Sequence, residues 1–368
     1  MDKSLAVDYE DMVNNFWGVP LATLGDLRAI STFPGINIGG WISADELERI
    51  HSGSPEWKMP ISFWDSSRPR NLHMWWRQFF SPLTLGQHYD FLFEQHFPAT
   101  KLRGATTLLR LHDPFGTSNN AWRILRQAGN IKHGIAGLVR SAAFNQALSS
   151  ATLIANTGFT ACRFSEIYNI PLNQISVIPY AFQWRSPEEV QSFTTVEKSK
   201  APYYLMIAGL RGSKRPDIVI NTWSRLGQKL PRLIVVGDVP LSSLSSKSRK
   251  QLDSNRLQII PVTDEKSLTL LKANASAHIF CSTYEGFGRP VIEALLVGRR
   301  PLVNDLPVFR EIAGEDARYF CLNNPESLED LLITNATPPS DSEFRDLIYR
   351  ARRYSEFEVG KLWRNLII

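Results

Sequence analysis

The chain has 368 residues, 43% hydrophobic and 21% charged, which excludes a disordered or fibrous protein and leaves room for two domains of ordinary size. No run of about eighteen apolar residues occurs, so nothing in the sequence is suited to crossing a membrane as a helix. A formal net charge of +5 favours an anionic partner, a description that fits sugar nucleotides, lipid phosphates, anionic membrane surfaces and nucleic acid alike.

The first residues, MDKSLAVDYEDMV, carry acids where a secretory signal would carry a basic end and an apolar core. Cys162, Cys281 and Cys321 are odd in number and far apart, and read as buried free thiols in a reducing cytoplasm. Ser4-Leu-Ala-Val is a candidate opening strand, and Trp17-Gly18-Val19-Pro20 turns into a helix predicted over Leu21 to Ile30. Residues 55–80 interleave Trp57, Trp64, Trp75, Trp76, Phe79 and Phe80 with Lys58, Arg68, Arg70 and Arg77. Three readings stand side by side there. One is a surface for peripheral membrane contact or a polyprenyl-linked acceptor, another a platform for single-stranded nucleic acid, and the third a helix with its aromatic face in the core. Two strands follow, the second from Thr106 to Leu111, rich in β-branched and apolar residues and ending at His112-Asp113. Ligands of α/β sheets sit beyond the carboxyl ends of strands, so His112 is well placed for chemistry. A helix over Arg140 to Ser150, a strand over Ala151 to Thr157, a helix over Thr160 to Tyr168 and the run Ile175 to Phe182 close the first unit.

Residues 186–201 are polar and aperiodic, as in an interdomain linker. A strand over Tyr203 to Gly209 then leads into a loop with Arg211, Lys214 and Arg215 and a helix over Ile218 to Leu226. Cations so placed neutralise a diphosphate and the charge that grows on it as a glycosidic bond breaks. Strands over Leu233 to Gly237, Leu257 to Pro261, Ala277 to Cys281 and Pro301 to Asp305 alternate with helices, and Ser342 to Ile368 reads as helical. Alternation of this kind, twice over, implies two parallel-sheet domains. Between the strand at 277–281 and the helix Val291-Ile-Glu-Ala-Leu-Leu lies Ser282-Thr-Tyr-Glu285-Gly286-Phe287-Gly288-Arg289-Pro290. Gly286 and Gly288 around Phe287 let backbone approach a ligand closely, and the following helix N-terminus suits an anion. Glu285 and Glu293 cannot bind phosphate but accept hydrogen bonds from hydroxyls. Phosphate donors with hydroxyl acceptors on either side describe a sugar-nucleotide site. No Asp-x-Asp stands at a strand end and no cluster has metal-ligand spacing.

Glu285 and Glu293, with seven residues between them in YEGFGRPVIEAL, look like the E-x7-E signature of the retaining GT-B glycosyltransferases of family 4, the glycosyl transferases group 1. HFPATKLRGATTLLRLHD is similar to a family segment ending at a histidine near the transferred sugar, KRPDIVI agrees with the family's KRxDxxI, and ISVIPYAF resembles the end of its first domain without the final glycine. The resemblance runs strongly over about 203–330 and patchily over 86–182. It implies that Glu285 contacts the donor sugar, that the amides of Gly286, Phe287 and Gly288 face the sugar and diphosphate, and that Glu293 holds the ribose hydroxyls. Lys214 inherits the diphosphate role and His112 that of the family's histidine. Arg211 stands in for an arginine whose usual place is taken by Gly209, and Gly18 marks the first strand-to-helix loop on the acceptor side. Trp363 is the expected anchor of a last helix that crosses back to the first domain.

The expectation is therefore an α/β GT-B fold, two Rossmann-like parallel-sheet domains facing a cleft. Its parts are an acceptor-side domain over 1–185, a linker over 186–201, a nucleotide-sugar-binding domain over 202–345 and a C-terminal helix over 346–368. The expected activity is retaining transfer of a sugar from a nucleotide-diphosphate sugar to a glycan or lipid-linked acceptor, in polysaccharide or glycoconjugate synthesis. Neither cofactor nor metal is expected to be required, and no nucleic-acid partner. The expected place is the cytoplasm or the inner face of its membrane. The alternative is a non-catalytic GT-B scaffold that binds a nucleotide or a partner protein; an epimerase on the same architecture would need an acid/base set that the sequence does not show.

Overall fold

The computed structural model describes residues 2–8, 19–42, 61–65, 89–95, 104–113, 145–194, 202–209, 212–261 and 265–368. In chain order the elements are β1 (Lys3–Asp8), α1 (Val19–Ser31), β2 (Ile36–Ile42), β3 (Ile61–Asp65), β4 (Phe91–Glu94), β5 (Thr106–Leu111), β6 (Thr152–Ala155), α2 (Gly158–Tyr168) and β7 (Ile175–Val177). They continue as α3 (Pro187–Thr194), β8 (Tyr203–Gly209), α4 (Pro216–Leu226), β9 (Arg232–Gly237), α5 (Ser246–Asp253), β10 (Leu257–Ile260), α6 (Glu265–Asn274) and β11 (Ala277–Phe280). The chain ends with α7 (Arg289–Leu296), β12 (Pro301–Asn304), α8 (Pro307–Ala313), β13 (Arg318–Phe320), α9 (Pro325–Thr334), α10 (Asp341–Ala351) and α11 (Glu356–Ile367). It divides into two compact units, 1–183 with 354–368, and 184–353.

The second unit is a six-stranded sheet in the order β10-β9-β8-β11-β12-β13, and every pair in it is parallel. A parallel sheet is covered on both faces, which is why β8 and β9 read as nearly continuous apolar runs. Leu205, Met206, Leu233, Val235 and Ile279 are all buried. From β8 the chain steps outward to β9 and β10, then returns to β11 on the other side. This reversal makes the carboxyl ends of β8 and β11 the switch point where doubly wound sheets bind ligands. Lys214 follows β8 and Glu285 follows β11.

The first unit repeats the order with one strand more, β3-β2-β1-β4-β5-β6-β7, again parallel. Its core gathers Leu5, Val7, Leu27, Ile30, Phe93, Leu108 and Ile154 around Trp363 from α11. Trp363 is fully buried and meets the Phe93 ring edge-on, centroids 5.1 Å apart. α11 comes close enough to α1 that a Cβ on Gly360 would stand 2.4 Å from the Ala29 carbonyl oxygen, so only glycine fits there.

Several elements depart from the sequence reading. The C-terminal segment is two helices, because Arg352–Tyr354 forms a tight turn and Ser355 caps a new start by accepting from the Glu358 N–H. Residues 36–42 form a strand that Gly39-Gly40 conceals by interrupting its apolar pattern, and within the aromatic stretch residues 61–65 are a strand paired with it rather than helix. The segment 186–201 opens with α3, whose Val190 is buried.

Candidate active site

Two loops at the switch point of the second unit are tied together. The Thr283 N–H donates to the Ser213 carbonyl at 2.9 Å, and Asn304 Nδ2, buried at the end of β12, donates to the Ser282 carbonyl at 2.8 Å. On this frame Lys214 donates to Glu285 Oε1, and the Ser282 hydroxyl donates to the same oxygen at 2.7 Å. Arg215 turns away to form a two-point ion pair with Asp217, at 3.0 and 2.8 Å. Below the loop Phe287 is buried, and Gly288 takes φ of 91° with the Phe309 ring directly behind it. Gly288 starts α7, so the first N–H groups of that helix follow the loop that carries Glu285.

Five apolar residues of α7 (Val291, Ile292, Ala294, Leu295 and Leu296) are buried, which fixes the side from which Glu293 emerges. Its carboxylate pairs with Lys272 at 2.6 Å and with Arg289 at 3.7 Å. Burial pushes the Glu293 carboxyl up, but Lys272 and Arg289 outweigh it and hold the group below its ordinary value. Lys272 is itself fixed, since its carbonyl accepts from the His278 ring at 2.8 Å. Burial lowers the His278 pKa to about 3, leaving that histidine uncharged. Of the three cysteines expected to be buried only Cys281 is, Cys162 and Cys321 being exposed; burial pushes the Cys281 thiol up to about 12, which makes it a packing residue rather than a nucleophile.

In the first unit His112 follows β5 directly. Its Nδ1 is 2.5 Å from the Tyr180 hydroxyl, and Asn156 Nδ2 donates to both the His112 carbonyl, at 2.8 Å, and the Tyr180 hydroxyl, at 2.9 Å. Behind Tyr180 lies Arg110, wholly buried, its guanidinium 3.2 Å from an Asp26 oxygen and 5.0 Å from the centre of the tyrosine ring. Trp363 donates to Asp26 from its indole N–H at 3.4 Å.

The structure thus brings Lys214, Glu285, Gly286, Phe287 and Gly288 onto adjoining loops, and places Glu293 on the helix that follows. His112 belongs to the other unit. Gly18, Arg211 and most of the 55–80 stretch lie outside the described residues. Sequence reasoning missed Ser282, Lys272, Asn156 and Tyr180. Only Tyr180 had a signal, since it lies inside the family-like ISVIPYAF run, just before Ala181 where the family's glycine is missing. Among the described residues no group of three or more His, Cys, Asp or Glu is arranged to hold a metal ion.

Residues 187–352 match the family model of the glycosyl transferases group 1. The chain is 31% identical over 169 residues to the serotype-specific mannosyltransferase WbdA of Escherichia coli, a match covering 42% of this chain and 20% of that protein. It is 23% identical over 188 residues to the O-antigen chain mannosyltransferase RfbU of Salmonella typhimurium, covering 50% of this chain and 51% of that one. These matches thus span about a fifth and about half of the relatives' lengths. Among solved structures, Anabaena Alr3699/HepE in complex with UDP shares 15% identity and a TM-score of 0.63 over 99% of both chains. The same protein is also solved with UDP and glucose and with UDP-glucose. The match to the glycosyl transferases group 1 falls within the second unit, and the fold of the chain is the two-part Rossmann-like architecture of the GT-B glycosyltransferases.

Proposed function

We propose that the protein is a retaining glycosyltransferase that moves a hexose from a nucleotide-diphosphate sugar to a hydroxyl of a glycan acceptor, free or lipid-linked, in polysaccharide synthesis. The observation that carries the reading is the switch-point arrangement of Lys214 and Glu285 on tied loops, followed by α7 with Glu293. Lys214 and the α7 N–H groups meet the diphosphate, Glu285 the sugar, and Glu293 the ribose hydroxyls. The bond from the anomeric carbon to the diphosphate breaks, the acceptor oxygen bonds to that carbon on the same face, and the acceptor proton passes to the departing phosphate oxygen. Retention comes from the family resemblance. Lys214 and helix N–H groups supply the charge stabilisation, so no metal is needed. Mannose is the first sugar to test, because two relatives are named mannosyltransferases, and glucose on UDP the second, because HepE is solved with UDP-glucose. The reading places the protein in the cytoplasm, with residues 55–80 meeting the membrane that carries a lipid-linked acceptor.

The test is thermal unfolding with UDP, GDP, ADP and dTDP, with and without Mg²⁺, for the native chain and Glu293→Ala, each against its own baseline. Stabilisation by one nucleotide, undiminished without Mg²⁺ and lost in the variant, supports a donor site and names the base for transfer assays. Absence of stabilisation by all four in folded protein sinks the reading and favours a scaffold. Co-sedimentation with anionic vesicles tests the membrane contact.

A further inference from the structure

Two residues remote in sequence, Asn156 and Tyr180, bear on the His112 ring. Asn156 Nδ2 faces the His112 main-chain carbonyl at 2.8 Å. A carbonyl only accepts, so the atom facing it is the amide nitrogen and the orientation of the Asn156 side chain is settled. The other N–H of that group points at the Tyr180 oxygen, 2.9 Å away, which accepts. The phenol proton has an acceptor within reach in His112 Nδ1, 2.5 Å away. A neutral imidazole that accepts at Nδ1 carries its proton on Nε2.

We propose that Tyr180 and Asn156 are positioning residues that hold the neutral imidazole of His112 with its proton on Nε2, so that this nitrogen meets substrate as a hydrogen-bond donor and not as a base. The partner class is a sugar oxygen, and this part alone rests on the glycosyltransferase reading. The tyrosine is gripped as a whole. Arg110 donates to the Ile178 carbonyl at 2.7 Å, two residues before Tyr180, and presents its guanidinium to the ring. Asp26 keeps that guanidinium in place from α1, and neither side chain of the Asp26–Arg110 pair is exposed. A ring set this way gains hydrogen-bond geometry without rearrangement at the moment of reaction.

Nitrogen NMR of protein labelled at its seven histidines tests the assignment, with the His112 signals identified by their loss in His112→Ala. The native protein is expected to show Nδ1 unprotonated and Nε2 protonated at His112. Tyr180→Phe removes the donor and moves the ring toward mixed tautomers. Asn156→Asp turns the phenol proton to the carboxylate and drives the His112 proton to Nδ1. Circular dichroism and unfolding curves establish that both variants fold. With the sugar donor that is turned over, Tyr180→Phe is expected to lower kcat about tenfold, leaving acceptor KM within about twofold. A proton on Nδ1 in the native protein, or unchanged ring signals in both folded variants, overturns the proposal; unchanged kcat in Tyr180→Phe removes its role in turnover. Should no sugar be transferred at all, the glycosyltransferase reading fails, while the nitrogen signals still decide the tautomer.

Discussion

Lys214 donates a hydrogen bond to Glu285, and the Ser282 hydroxyl donates to the same carboxylate oxygen. The residue read as phosphate-binding and the residue read as sugar-binding therefore neutralise each other, and a diphosphate bound as proposed would draw Lys214 away. The side chains are 21% and 15% exposed, a setting in which such a pair contributes on the order of 1 kcal/mol. Glu285→Gln is thus expected to tighten binding of the preferred nucleoside diphosphate by about three- to fivefold while cutting sugar transfer by about a hundredfold or more. Titration calorimetry beside a transfer assay checks both. Weaker nucleotide binding in Glu285→Gln would mean that the pair helps to build the phosphate site.

Glu293 gives an acid-side prediction. Its folded pKa lies below the ordinary 4.5, so its ion pairs contribute fully above that value and their contribution declines as pH falls through the folded value. Glu293→Gln is expected to be about 2 kcal/mol less stable than the native chain at neutral pH, with the gap closing below pH 4.5. Denaturant unfolding of both proteins between pH 7 and about 3.5 measures the gap.

His278 acts over a different window. Its folded pKa is about 3 against an ordinary 6.5, so between these values the unfolded chain holds a proton that the folded chain does not. Stability then falls as pH drops from 6.5, by about 1.4 kcal/mol per pH unit. His278→Gln keeps a donor for the Lys272 carbonyl and lacks the titration. Between pH 6.5 and 4.5, above the carboxylate range, its stability is expected to fall less steeply than the native protein's by that slope. Parallel curves would contradict the assignment.

The second unit was legible because its strands are apolar runs closed by Gly, Pro or polar residues, and because Glu285, Gly286, Phe287, Gly288 and Glu293 are neighbours in sequence. What was not legible depends on distance along the chain. Lys272 reaches Glu293 from 21 residues away, and Asn156 and Tyr180 meet His112 from 44 and 68 residues away. Their pairing follows from which strand lies beside which, and a single sequence carries no record of that. β2 hid behind Gly39-Gly40, and β13 is three residues long with only Phe320 buried, too short to show a period.

Trp363 was expected as an anchor, and its fully buried ring among Phe93, Arg110 and Asp26 sets the scale of its effect. Trp363→Ala is expected to cost about 3–5 kcal/mol, while Phe357→Ala, on the same helix but half exposed, costs about 0.5 kcal/mol. Guanidinium unfolding of the two variants separates anchoring from mere helix content, and similar losses would rule out the anchor.

Gly288 faces two constraints at once. Its φ of 91° strains any residue with a Cβ, and a Cβ there would stand 2.5 Å from Phe309 Cε1. Gly227, with φ of 70°, has nothing within 4 Å of a built Cβ, so alanine there meets the backbone strain alone. Gly288→Ala is therefore expected to lose about 2–3 kcal/mol, and Gly227→Ala about 1–2 kcal/mol. The two part more sharply in function. Relief of the Phe309 clash must move the start of α7 and with it the N–H groups that the proposed site offers to phosphate. Gly288→Ala is expected to weaken nucleotide binding at least tenfold, with Gly227→Ala unchanged. Equal nucleotide affinity in the two folded variants would show that the α7 N-terminus does not contact the phosphates.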